Sequence, residues 1–227
     1  MAESRPTLAI IGGTGAEGSG LAKRWAAAGY LVLIGSRDAE RAQGKADELN
    51  KALVGQEEAV PARGLANEEA AAQAEIIVVT VPYSAHASTL GALKEMVQGK
   101  IVVDCTVPLK PPKVTRVSLP EAGSAAMEAQ QLLGERVRVV SAFQNVSAEL
   151  LDDLRATVNC DVLITGNDPE ARAAVVQLAE AGGMVGIHAG TLENAAAAEA
   201  LTSLLIFINK QYKTHGAGIR ITNLPKV

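Results

Sequence analysis

The nine residues GGTGAEGSG at 12 to 20 are the strongest constraint in the chain. An apolar run, TLAIIG at 7 to 12, leads into them, GLAKRWAAAG at 20 to 29 follows with helical spacing, and a second apolar run, LVLIG at 31 to 35, comes next. Strand, glycine turn, helix and strand in that order form a crossover that returns the chain parallel to itself. The rest of the sequence repeats the scheme. Strands are expected near 59 to 63, 75 to 80, 100 to 104 and 136 to 140, with helices near 38 to 53, 66 to 73, 84 to 98 and 121 to 134. Because most of these runs do not alternate with polar residues, both faces of the sheet must be covered by helices. After about residue 150 come a strand at 161 to 166, a helix at 168 to 181, a strand at 184 to 188, a helix at 192 to 213 and a last short strand in HGAGIRITNLPKV. The expected fold is α/β: a Rossmann-type doubly wound parallel sheet with a smaller C-terminal α/β domain, divided softly into 1–150 and 151–227.

Within the turn, Gly13, Gly15 and Gly18 form GxGxxG. Gly13 allows the tight turn, Gly15 lets backbone amides approach a pyrophosphate, and Gly18 lets the helix pack on the strand. The helix start adds free N–H groups and a positive dipole end. Without a GK[ST] ending the turn is not a P-loop, so a dinucleotide is the expected ligand. The corner after the second strand, GSRDAER at 35 to 41, selects which one. Where an NAD site carries a carboxylate for the ribose, this chain has Ser36 and Arg37, with Arg41 one helical turn on. These are donors for a 2′-phosphate, and Thr14 adds a hydroxyl from the first turn. Asp38 is read as the N-cap of the following helix, turned to amides and away from the phosphate. The expected cofactor is NADP(H).

Other classes are disfavoured. The formal charge of −4 and an aromatic content of 3% offer nucleic acid neither a general field nor a stacking surface. No apolar run approaches the ~20 residues of a membrane span, and MAESRPTLAI lacks a basic start followed by a long apolar stretch, so a cytoplasmic protein is expected. Cys105 and Cys160 have neither CxxC spacing nor clustered histidines, and are read as buried small hydrophobes; no metal site is expected.

GGTGAEGSGLA, IGSRDAERA, VVTVPYSAH, LPEAGSAAMEAQ, SAFQNVSAELL and NKQYKTHGAGIRIT together resemble the NADPH:F-420 oxidoreductase family over nearly the whole chain. The resemblance implies hydride transfer between NADP(H) and the deazaflavin coenzyme F-420, the deazaflavin lying in a cleft between two domains of a homodimer. It implies that Thr14, Gly15, Ala16, Glu17, Ser36, Arg37 and Arg41 hold the adenosine phosphate and pyrophosphate, and that Thr80, Pro82, Tyr83, Ala87, Val107 and Ala148 lie along the nicotinamide half. Gln144, beside Asn145, Val146 and Ser147, stands where the family commonly has histidine, in a segment the family sets against the deazaflavin near the hydride path. Gln144 and Val146 are therefore the expected residues at the reacting rings. Glutamine can donate a hydrogen bond but carries no charge. Either it substitutes as a positioning group or the acceptor differs: a flavin, a small ketone or an imine.

Hydride transfer needs donor and acceptor held close and water excluded, which agrees with the absence of a GxSxG elbow or an HExxH pair. Carbonyl or imine reduction would benefit from a proton donor. Tyr83, His86, Lys110, Lys210 and His215 are the candidates, though none has a recognised spacing. His86 is read as a helix-start surface residue, His188 as structural and Tyr83 as packing on the cofactor. The apolar helix 192–213 is expected in the second domain or against a partner subunit, and the amides of Gly216-Ala217-Gly218 are possible contacts for a ring edge. A regulatory protein that binds NADP(H) without turnover is the remaining class.

Overall fold

The computed structural model describes residues 5–224. Eight strands form one sheet in the order β3-β2-β1-β4-β5-β6-β7-β8. They are β1 (Leu8–Ile11), β2 (Val32–Ser36), β3 (Arg63–Ala66), β4 (Ile76–Val79), β5 (Ile101–Asp104), β6 (Arg138–Ser141), β7 (Asp161–Gly166) and β8 (Val185–His188). The pairings among β1 to β6 are all parallel, whereas β7 runs antiparallel to β6, and β8 parallel to β7. The helices are α1 (Ala16–Ala27), α2 (Ala39–Ala52), α3 (Asn67–Gln73), α4 (Tyr83–Leu93), α5 (Ala125–Leu133), α6 (Ala148–Asp152), α7 (Pro169–Ala181) and α8 (Ala195–Tyr212).

Successive residues of β1 explain why its sequence does not alternate. Leu8 and Ile10 pack into one core with Leu21, Trp25, Val32 and Leu178, while Ala9 and Ile11 pack into another with Leu33, Ala70, Leu90 and Leu133. All four are fully buried, as a strand covered on both faces requires. Trp25 sits where the first and last parts of the chain meet. Its ring is edge-on to Phe143 at 5.6 Å and its Nε1 donates to Leu178 O at 2.7 Å. Beside it the buried Arg24 donates to the carbonyls of Leu150, Leu151, Asp153, Ala156 and Gly182, tying α1 to the segment around α6.

Several expectations shift. α1 begins at Ala16, inside the glycine turn, because Gly15 is its N-cap. β3 lies at 63–66, beyond the expected 59 to 63. There Gly64, whose Cβ would strike the backbone of Ala42 and Gln43, lets α2 close over the strand. α5 starts at Ala125 with Ser124 as its N-cap, the Oγ accepting from Met127 N, so 105–124 remains a loop of 20 residues. No final strand forms within the described part of HGAGIRITNLPKV, and Pro225, Lys226 and Val227 lie outside the described residues. The tail instead lies beside the part of β7 that β6 does not pair. Asp161 N donates to Ile219 O at 2.8 Å, while Ile221 N donates to the Asp161 carboxylate rather than to a ladder carbonyl. The short helix α6 is an element that sequence periodicity missed.

Candidate dinucleotide and hydride-transfer site

The chain leaves β1 for α1 on one side and crosses to β4 on the other, so a crevice opens at the carboxyl ends of these strands, where the direction of winding reverses. A cleft of about 690 Å³ occupies it. Gly12 carries the left-handed conformation of the turn, at φ 78°. Gly13 donates to Ile10 O and Gly35 O at 3.1 Å, and a Cβ there would come within 2.7 Å of Ile10 O. A Cβ on Gly18 would collide with the Thr80 side chain and lie 2.9 Å from Gly13 Cα. Gly13 and Gly18 are thus packing residues behind the cleft, while Thr14, Gly15, Ala16 and Glu17 line it.

At one end, β2 delivers Ser36, Arg37 and Arg41 to the lining. Asp38 caps α2: its Oδ1 accepts from Arg41 N at 3.1 Å, so its carboxylate faces amides as expected. Ser36 Oγ accepts from Asp38 N at 3.2 Å and keeps its own proton to donate. Both arginines are exposed and neither pairs with a carboxylate among the described residues. Sequence reasoning missed Asn67, the residue after β3, which lines the same end. It is buried and its Oδ1 has no hydrogen-bond partner among the described residues. Its place directly after a strand was the available signal.

At the other end Thr80, Pro82, Tyr83, Val107, Gln144, Val146 and Ala148 line the cleft, joined by the unforeseen Cys105, Thr106 and Thr202. Ala87 lies apart, on a second cavity that it shares with His86 and Glu128. Phe143 at φ 75° turns the chain sharply out of β6, a conformation costly for a bulky residue and held here by the packing on Trp25. That turn aims Gln144 inward. Its Nε2 donates to Asp104 O at 2.8 Å and Ser141 Oγ at 2.7 Å, and its backbone O accepts from Thr202 Oγ1 at 2.9 Å. Gln144 is therefore a clamped residue whose amide nitrogen is already engaged. Gly216, Ala217 and Gly218 do not line the cleft; Gly216 faces Leu150 and Gly218 faces Cys160.

His86 is a correction. It is 2% exposed, not a surface residue, and its Nε2 lies 2.7 Å from Asp104 Oδ2. α4 begins at Tyr83, so its first turn carries His86 inward against the end of β5. Burial lowers the affinity of the ring for a proton, but the Asp104 hydrogen bond and charge, with Glu128 and Glu199 behind, outweigh it and raise the pKa. Asp104 Oδ1 also accepts from Thr106 N at 3.0 Å, so the pair fixes the loop that carries Thr106 and Val107 into the cleft. Glu199 of α8 is fully buried, accepts from Ala125 N and Ala126 N at the start of α5, and is pushed up to about 8, chiefly by burial. Burial also holds the Cys105 thiol well above its ordinary value, so it is no thiolate nucleophile. His188 is exposed at the end of β8.

Glu17, on the cleft wall, is raised to about 8 by burial first and Asp104 second. Between about pH 4.5 and 8 the native state keeps a proton that the unfolded chain releases. The stability this represents is complete below pH 4.5 and is lost as pH rises through 8. Denaturant unfolding of Glu17→Gln should therefore fall less steeply from pH 5 to 8 than that of the parent, by up to about 1.4 kcal/mol per pH unit before solvent screening. Parallel curves for the two proteins would show that Glu17 ionises normally.

Among the described residues no helix is long and apolar enough to cross a membrane, and no cluster of His, Cys, Asp and Glu could hold a metal ion. The family model described as NADP oxidoreductase coenzyme F420-dependent matches residues 7–108. The F420-dependent NADP reductase of Methanocaldococcus jannaschii is 43% identical over 96% of this chain and 98% of its own length. That of Methanothermobacter marburgensis is 40% identical over 96% and 99%. A crystal structure from Arthrobacter sp. FB24, described as a candidate F420-dependent NADP-reductase, superposes with a TM-score of 0.74 at 25% identity, covering 96% of this chain and all of that one. Likeness of that extent, over a chain whose cleft is lined by Ser36, Arg37 and Arg41 at one end and the clamped Gln144 at the other, makes this chain a member of the F420-dependent NADP reductase family.

Proposed function

We infer that this protein is an NADP-dependent oxidoreductase that passes hydride between NADP(H) and the deazaflavin coenzyme F-420. The observation that carries the reading is one continuous cleft. It runs from the Ser36, Arg37 and Arg41 donors, past the start of α1, to Gln144, Val146 and Thr202. When bound, the nicotinamide supplies or takes up a hydride and the deazaflavin does the converse. The chain's own part is geometric. Ser36, Arg37 and Arg41 hold the 2′-phosphate, and the first-turn amides around Gly15, Ala16 and Glu17 hold the diphosphate. Thr80, Pro82, Tyr83, Val107 and Ala148 bound the nicotinamide, while Gln144 and Val146 form the wall against the reacting rings. Apolar lining from Val81, Val107 and Val146 excludes water.

Residues 1–150 serve as the NADP-binding unit. Residues 151–227 form a smaller unit that reaches the cleft through Thr202 and carries the contact of a cytoplasmic homodimer. Leu204, Phe207, Ile208 and Tyr212 on α8 support this, each at least 38% exposed on one helix. A mass of 23.5 kDa in analytical ultracentrifugation would overturn the dimer.

The activity is tested by mixing the protein with NADPH and, separately, the deazaflavin coenzyme, FMN, riboflavin, and small ketones and imines, and following nicotinamide absorbance. Deazaflavin is expected to be reduced. Turnover with a flavin or carbonyl alone would sink the F-420 assignment, and tight NADPH binding with no turnover would favour a sensor. Gln144→His in the same assay raises deazaflavin turnover where the glutamine merely weakens an inherited site. Unchanged kinetics would place this segment away from the ring.

A further inference from the structure

The loop between β5 and α5, residues 105–124, is long for a compact domain, and loops of that length without secondary structure are commonly binding loops or lids. In this chain of net charge −4, its stretch 109–116, LKPPKVTR, holds Lys110, Lys113 and Arg116 and no acid. All three are exposed, and none pairs with a carboxylate among the described residues. The stretch is also built into the cleft. Leu109, Pro111 and Val114 line it, and Lys110 O and Lys113 O accept from Lys113 N and Arg116 N, which shapes the stretch into two successive turns.

Its position separates these cations from the nucleotide donors. Ser36 ends β2, whereas the loop leaves β5, three strand spacings away at about 4.8 Å each, or about 14 Å across the sheet. Arg116 O accepts from Ser203 Oγ, next to Thr202, whose hydroxyl holds Gln144 O. The basic stretch thus borders the Gln144 end, where the second coenzyme is placed under the function proposed above. Lys110, Lys113 and Arg116 lie beside the lining residues Leu109, Pro111 and Val114 in the chain, exposed and without a carboxylate partner among the described residues.

We propose that Lys110, Lys113 and Arg116 form a subsite for the anionic tail of the second coenzyme, the phosphate and carboxylate groups attached to its deazaflavin ring system. This assignment rests on the F-420 reading. Such a subsite works through charge at the protein surface, so it acts mainly on capture of the substrate and is weakened by salt. It leaves the hydride step to the residues around Gln144.

The test compares two acceptors, the full coenzyme and the same deazaflavin ending in its sugar-alcohol hydroxyl, with the whole protein and NADPH. At about 0.02 M ionic strength the full coenzyme should have a kcat/KM about tenfold higher, and the advantage should shrink at about 0.3 M. In the double variant Lys113→Ala/Arg116→Ala the advantage should collapse to about twofold or less through KM, with the tail-less ring and the NADPH dissociation constant unchanged; Lys113→Arg should retain it. NADPH binding also reports that the variants are folded. An advantage that survives in the double variant overturns the subsite, as does a weakened NADPH affinity, which would assign these cations to the nucleotide. Equal turnover of both rings by the parent overturns the subsite alone, whereas no turnover of either removes the F-420 reading beneath it.

Discussion

Arg37→Ala should raise the dissociation constant for NADPH about 10- to 100-fold while leaving NADH binding within about twofold, the loss of one or two charge-assisted hydrogen bonds of about 1.5–3 kcal/mol. Arg37 lines the cleft directly after Ser36, is exposed, and has no carboxylate partner among the described residues, so its guanidinium is available to a phosphate. Asp38 does not cancel it, because its carboxylate is spent on the amide of Arg41. Isothermal titration with the two nucleotides checks this. Equal losses for NADPH and NADH would mean that Arg37 shapes the corner without touching the 2′-phosphate, and an unchanged NADPH constant would remove it from the site.

The largest stability effect is expected at Arg24→Met, about 3–5 kcal/mol, or roughly 10 °C in midpoint at 2–4 °C per kcal/mol for a chain of this size. Arg24 is only 7% exposed, and its guanidinium gives hydrogen bonds to five carbonyls on two separate stretches of chain, 150–156 and Gly182. Methionine fills much of the volume but leaves those carbonyls without a donor in a place water scarcely reaches, and each such loss is expensive. Burial already lowers the arginine's pKa, with Asp153 pulling the other way. A thermal midpoint within 2 °C of the parent, read by circular dichroism, would show that the segment around α6 is held by apolar packing alone. Because that segment follows directly on Gln144, Val146 and Ala148, loosening it should also raise KM for the second coenzyme.

How much of this was legible beforehand follows from the range of each interaction. β1, α1 and β2 were readable because apolar runs, a glycine turn and helical spacing are local patterns, and the sheet repeats them. Asp38 as a cap was readable because a cap acts over three residues. The place of Ser36, Arg37 and Arg41 on the cleft followed from the same local logic.

His86 was not legible. Its spacing on α4 suits a surface as well as a core, and only the arrival of Asp104 from β5, 18 residues away, makes burial of the ring favourable. Glu199 is a stronger case, a carboxyl on α8 that satisfies the start of α5 more than 70 residues earlier. Asn67 and Thr202 reach the cleft for similar reasons, through strand order and the seat of α8. That Gly12 lies against Thr80 and Val81, where a Cβ would collide, was likewise decided by the arrival of β4.

By itself the sequence determined the parallel sheet, the glycine turn, the capped corner that carries Ser36, Arg37 and Arg41, and the family likeness, all of which rest on neighbours in the chain or on motifs of fixed spacing. Tertiary structure alone decided that Gln144 is clamped by Asp104 and Thr202, that Arg24 binds α1 to 150–156 and Gly182, and that the loop carrying the cations of 110–116 is held against α8 beside Thr202. The physical reason is the same in each: the partner is a backbone carbonyl or a carboxylate brought near by strand order, and no spacing in the sequence encodes that distance.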